Sequence, residues 1–142
     1  MGCSGLCYEI QQMKYLLVLV MLIASPAWAG WTYITSSEGD GISASGNLEH
    51  FLDYETLRKE GNLRRIWMLI NFPPDDKEGW GSVRIRVEFD CKNETSKKMS
   101  YTVFSGKLST GKIIFTKDKE SPKEDIPPDT ATWTIFKDVC KR

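Results

Sequence analysis

Ser82-Val83-Arg84-Ile85-Arg86-Val87-Glu88-Phe89-Asp90-Cys91-Lys92 alternates apolar and charged residues from Val83 to Cys91. Val83, Ile85, Val87, Phe89 and Cys91 fall on one side of an extended chain, and Arg84, Arg86, Glu88 and Asp90 on the other. A period of two marks a half-buried antiparallel strand, because successive side chains point to opposite faces. The pattern aims Cys91 into a core and turns the charged residues toward water.

The flanking segments repeat the theme. Arg64–Phe72 places Ile66, Met68, Ile70 and Phe72 on one face and Trp67, Leu69 and Asn71 on the other. Apolar character on both faces predicts a central strand covered on both sides, or a strand at a subunit contact. Pro73-Pro74 ends it, since proline cannot donate to a ladder, and Asp75–Gly81 reads as a polar loop. Upstream, Trp31–Thr35 and Glu49–Tyr54 read as short strands around a Gly/Ser-rich loop at Ser36–Gly46. Glu55–Lys59 is predicted to make one helical turn before Gly61-Asn62 reverses the chain. Downstream, Lys97–Ser105 and Lys112–Thr116 are further strands separated by a turn at Gly106–Gly111, and charged Lys117–Asp125 with Pro122 is a loop. Asp129 or Thr130 is a good N-cap for a terminal helix running to about Val139, with Trp133, Phe136 and Cys140 on one face. The expected class is α+β: an antiparallel sheet of about six strands with a C-terminal helix on one face.

The N-terminal segment sets the compartment. Lys14 precedes the apolar run Tyr15–Ala24, Pro26 breaks it, and Ala27-Trp28-Ala29 puts small residues three and one before Gly30. That is the layout of a cleaved signal peptide. The run of ten residues is too short for a spanning helix, which needs about 20. Residues 1–29 are therefore read as an extension plus signal (the signal proper being 13–29, with Met13 as the expected start), and 30–142 as a single domain. Export to the periplasm or medium follows, with no stable membrane insertion after cleavage. No cysteine stands at the cut to carry a lipid, so outer-membrane surface display is the less expected location.

Cys3 and Cys7 leave with the first segment, and Cys91 and Cys140 remain. Two cysteines in an exported chain allow one intramolecular bridge. The alternative, a metal pair, lacks further Cys or His ligands nearby. Both cysteines point inward on these assignments, so a bridge would pin the helix to the sheet. The 113 residues after Ala29 keep equal numbers of basic and acidic residues, 18 each. That balance offers no long-range field to gather nucleic acid. Arg64-Arg65 and Lys97-Lys98 are read as solvated strand positions.

Catalytic signatures are lacking. His50, the only histidine, is read as an ordinary surface residue without a partner nucleophile. No G-x-S-x-G, H-E-x-x-H or P-loop spacing occurs. Asp75-Asp76-Lys77-Glu78 lacks the spaced oxygen ligands of a calcium loop, and Asn93-Glu94-Thr95 matches a glycosylation sequon by chance. No cofactor, metal or enzymatic activity is expected. Trp67 and Phe104 fall opposite the helix-covered face. They either form a second small core beneath the loops or mark a partner contact such as a homodimer interface.

Taken in order, Trp31, Phe51-Leu52-Asp53-Tyr54, Gly61-Asn62, Arg65-Ile66-Trp67, Val87-Glu88-Phe89-Asp90-Cys91, Tyr101, Ser105-Gly106, Ile126-Pro127-Pro128-Asp129 and Val139-Cys140 resemble the surface-adhesin protein E family of Gram-negative bacteria. The resemblance covers nearly all of the chain after the signal. It implies a curved antiparallel sheet of about six strands, a C-terminal helix tied by a Cys91–Cys140 disulfide, and binding rather than catalysis. It also implies homodimerisation and protein partners, host matrix proteins such as vitronectin and laminin among them. On that basis the contact surface is expected on the sheet edge and the Cys91–Lys112 hairpin. Arg84, Arg86, Lys97 and Lys98 would lie outward on neighbouring strands, with Trp67 and Phe104 beside them. The alternative is a periplasmic structural or stress-related accessory protein without a host ligand.

Overall fold

Alternating apolar residues need a second layer to cover them, and here a single amphipathic helix supplies it. The computed structural model describes residues 30–38, 46–74 and 78–142. The predicted signal segment, most of the Gly/Ser loop and Asp75–Lys77 lie outside the described residues.

Six strands run in chain order across one open antiparallel sheet: β1 (Trp31–Glu38), β2 (Asn47–Glu60), β3 (Leu63–Asn71), β4 (Ser82–Asp90), β5 (Thr95–Phe104) and β6 (Ile113–Lys117). A two-residue strand, β7 (Glu124–Asp125), pairs with the Thr95–Ser96 end of β5, inside the segment predicted as a loop. Helix α1 (Ala131–Lys141) closes the chain. Thr130 is its N-cap, its hydroxyl accepting the Trp133 N–H at 3.1 Å. Gly61, at φ +55°, turns β2 into β3 in a backbone region that favours glycine.

The core forms on the face predicted from β4. Leu52, Ile66, Phe89, Val103, Ile135 and Val139 are almost completely buried. Each such side chain contributes about 1.5–3 kcal/mol of burial. The deepest helix residues are Ile135, Phe136 and Val139. Trp133 is half-buried and stacks on Phe136, whose ring meets Phe89 at 6.1 Å between centroids. Beyond the helix, Phe72, Trp80, Phe115 and Tyr101 form an edge-to-face chain with centroid spacings of 5.6–5.8 Å.

Cys91 and Cys140 are disulfide-bonded, their Cα atoms 5.7 Å apart. The helix end is also held by Tyr54 donating to Asp138, Lys59 donating to the Arg142 carbonyl, and Arg142 over the Tyr54 ring. Burial, and then the Asp138 carboxylate, push the Tyr54 phenol up to about 12.

Three expectations are corrected. Glu55–Lys59 is not a helical turn: β2 runs on to Glu60 and bulges between Asp53 and Arg58. His50 is buried, 6% exposed, because its register opposite Ile70 places it on the helix-covered face. Its Nε2 meets the Ser37 hydroxyl at 2.9 Å, and burial holds its pKa below the ordinary value. Glu88 and Asp90 are also buried, because partners close over them. Arg65 and Lys97 flank Glu88, and Asp90 accepts from the backbone of Lys92 and Asn93 and from the Asn93 amide.

Candidate functional site

Among the described residues, the face away from the helix is the one left uncovered by a second layer. Its residues follow from the ladder: Tyr33 opposite Phe51, Asp53 opposite Trp67, Trp67 opposite Arg86, Leu69 opposite Arg84, and Ser82 opposite Phe104. At its centre the Arg84 guanidinium lies between two rings, 5.3 Å from the Trp67 centroid and 5.4 Å from that of Phe104. Such cation–π contacts strengthen as the cation is desolvated. Arg84 Nε is buried and has no hydrogen-bond partner among the described residues. Tyr33, 53% exposed, packs edge-on against Phe51 at 5.7 Å. The face therefore offers aromatic rings and guanidinium groups together, the side chains enriched among hot spots of protein contacts.

One end of this face is capped. A 3-10 turn, Lys107–Ser109, carries Leu108 and Ser109 in the left-handed region at φ 54° and 61°. Buried Asn71 and Ser82 hold it there. Asn71 Oδ1 accepts the Leu108 N–H at 2.9 Å, and Ser82 Oγ accepts the Ser109 N–H at 3.0 Å while donating to the Gly106 carbonyl. Leu69 and Phe104, on the same face, are buried. The other end is an ion network. Glu88 takes Arg65 at 2.7 Å and Lys97 at 3.6 Å, Lys97 also meets Glu120 at 2.8 Å, and Arg65 reaches Glu60 at 3.2 Å. Burial alone would raise the Glu88 carboxyl; the two cations outweigh it and hold it below its ordinary value.

The predicted contact residues are only partly brought together. Trp67, Arg84 and Phe104 form one stack, and Arg86 lies exposed beside Trp67. Phe104 is buried rather than presented, so it acts by holding Arg84. Lys97 is on the open face but committed to Glu88 and Glu120. Lys98 is not on that face. The register shift between Arg86 and Val87 sets Lys98 opposite Val87, on the helix side, and reverses the alternation that a simple period of two assigns.

A cleft of about 170 Å³ opens beside Trp67, lined by Thr56, Arg58, Arg65, Ile66, Trp67 and Arg86. It sits where β2 bulges. Trp67 N–H, opposite the bulge, is taken up by the Thr56 hydroxyl at 3.1 Å, and that hydroxyl donates to the Asp53 carbonyl at 2.6 Å. The sequence reading missed Arg58 because a helical turn was expected there. Basic character on both arms of the Gly61-Asn62 hairpin was the available signal. Among the described residues no group of three or more His, Cys, Asp or Glu is placed to hold a metal ion. Nor is any helix among them long and apolar enough to cross a membrane.

A family model described as "Surface-adhesin protein E" matches residues 31–141. Solved structures of Haemophilus influenzae protein E share the fold. One is 16% identical with a TM-score of 0.55, covering 77% of this chain and 83% of that one. A second crystal form is 17% identical with a TM-score of 0.54, covering 65% and 80%. Protein E from a non-typeable strain is 16% identical with a TM-score of 0.51, covering 77% and 75%. None of the curated proteins matches the chain.

Proposed function

The chain belongs to the surface-adhesin protein E family, and from that premise we propose that it is a non-enzymatic exported interaction protein that binds host extracellular-matrix proteins through the open face of its sheet. The observation that carries this reading is the Trp67–Arg84–Phe104 stack: a half-buried guanidinium, its Nε shielded from water, on a face that the helix does not cover. A half-buried guanidinium with no ion-pair partner among the described residues gains when a partner supplies an acid. Export is assigned to the Met13–Ala29 segment, whose small residues before Gly30 fit signal cleavage.

The test is capture of immobilised matrix proteins by the exported protein, followed by biolayer interferometry across a salt series. Binding should weaken as salt rises, and Trp67→Ala and Arg84→Gln should each lower affinity by about tenfold or more. Absence of binding, or binding indifferent to salt and to both substitutions, would remove the reading. A second reading is a periplasmic accessory protein without a host ligand, favoured by Gly30 rather than a lipid-bearing cysteine after the expected cut. Protease treatment of intact cells separates the two: surface digestion supports the adhesin, and a protected periplasmic pool supports the accessory protein.

A further inference from the structure

We propose that the bulge in β2 builds a carboxylate-binding cleft, between Arg58, Arg65 and Arg86, that takes an Asp or Glu side chain of an extended acidic peptide segment in a protein partner. It rests on the reading of the open face as a contact surface and adds the chemical group recognised there.

The cleft concentrates positive charge against the ordinary rules of a sheet. Arg58 stands directly opposite Arg65. Like charges facing each other across a ladder are destabilising. Of the two, Arg65 alone is ion-paired among the described residues, with Glu88 and Glu60. Arg58 is steered by backbone carbonyls instead: its guanidinium donates to the Glu55 and Leu57 carbonyls at 3.2 and 3.1 Å. Arg86 is exposed and forms no ion pair among the described residues. Three acids near the cleft are already engaged, Glu60 and Glu88 with Arg65, and Asp53 with the Glu55 N–H at 3.2 Å. The surplus guanidinium capacity thus faces the cleft.

Guanidinium forks suit planar carboxylates, and Arg65 already holds one of them, Glu88, at 2.7 Å on the same row. About 170 Å³ admits an acidic side chain. The cleft opens beside Trp67 and near the partly exposed Tyr33–Phe51 pair, which would receive apolar side chains two residues along an extended peptide. That mixture of ring and charge favours a protein segment over a sulfated glycan.

The experiment is an NMR titration of the full exported protein, following arginine Nε–Hε and tryptophan Nε1–Hε1 signals. The probe is a capped eight-residue peptide alternating Glu and Leu. Its Gln-for-Glu counterpart, inorganic sulfate and a heparin-derived oligosaccharide are parallel arms. Saturable shifts at Arg58, Arg65, Arg86 and Trp67 with the Glu peptide alone, weakened at least about tenfold by Arg58→Gln or Arg86→Gln, support the cleft. Both substituted residues are exposed, and an unchanged melting temperature certifies the fold. Equal binding of the Gln peptide, shifts centred elsewhere, no saturable shift, or tighter binding of the oligosaccharide than of the peptide overturns it. The two readings fail separately. If protein carrying both Arg58→Gln and Arg86→Gln still captures matrix proteins with full affinity while Arg84→Gln does not, the cleft is wrong and the face remains. If the unaltered protein captures none, the matrix reading falls and the peptide titration still decides the cleft.

Discussion

Removing the Cys91–Cys140 bridge is the sharpest test of how this fold is held. The cysteines lie 49 positions apart, so the bond closes a loop of 50 residues counting both ends. Restricting the unfolded chain by that loop is worth about 4 kcal/mol in the chain-entropy treatment. The native helix keeps its other ties: Ile135, Phe136 and Val139 stay buried, and Tyr54–Asp138 and Lys59–Arg142 still connect it to β2. Loss should therefore act mostly through the unfolded state. For the 113 residues after Ala29, an unfolding entropy of about 2.1 cal/mol/K per residue converts 4 kcal/mol into a drop of roughly 17 °C in melting temperature. Cys91→Ala/Cys140→Ala should show this drop in calorimetry. Its native helical signal should be unchanged, and its urea slope should be steeper because the unfolded chain exposes more surface. A loss below about 1 kcal/mol would refute the reasoning, as would two free thiols in the purified oxidised protein.

Three further outcomes follow from single side chains. Thr130→Ala should cost about 1 kcal/mol in urea unfolding, because the Trp133 N–H loses its cap; no change would mean the helix is held wholly by its buried face. His50 is pushed below its usual pKa by burial, so the unfolded chain binds its proton first. Stability should be flat above the ordinary value near 6.5 and fall as pH drops from there toward the lower folded value, and His50→Gln should abolish that slope; equal slopes in both proteins would exclude His50 as the cause. Glu88 has a lowered folded pKa, so its contribution is present above the ordinary carboxylate value and disappears as pH falls through the folded one. Glu88→Gln should lower stability by about 2 kcal/mol at neutral pH and flatten the acid limb of the stability curve, and an unaltered acid limb would count against the network.

The sheet was legible where chemistry repeats with the backbone. Val83 to Cys91 keeps a strict period of two, and every apolar position except half-buried Cys91 is buried as that period requires. Gly61 likewise marks its turn by a conformation few other residues adopt without strain. What stayed hidden depends on contacts between strands. Glu88 and Asp90 read as solvated because the sequence does not reveal that Arg65, Lys97 and Asn93 converge on them. His50 is polar by type and core by register. The two shifts in register, in β2 before Arg58 and between Arg86 and Val87, change which face a residue serves. They moved Lys98 away from the predicted contact surface and brought Arg58 to it.

Those same irregularities separate the two faces by purpose. On the helix side, period, burial and disulfide agree, and the result is a core with a covalent tie. On the open side, local rules are broken together: Arg58 faces Arg65, Arg84 Nε is buried without a partner among the described residues, and Leu108 and Ser109 hold left-handed backbone. Each raises the free energy of the isolated protein, and each lies on the sheet face that α1 leaves uncovered or on the turn that caps it. Buried atoms without a partner among the described residues occur on the helix side as well, at His50 Nδ1 and Arg64 Nε; what sets the open face apart is that an incoming acidic group can reach its arginines. A carboxylate placed between Arg58 and Arg86 and an acidic group at Arg84 would relieve two of the three, so on this reasoning occupation of the open face should stabilise the protein as well as recognise the partner.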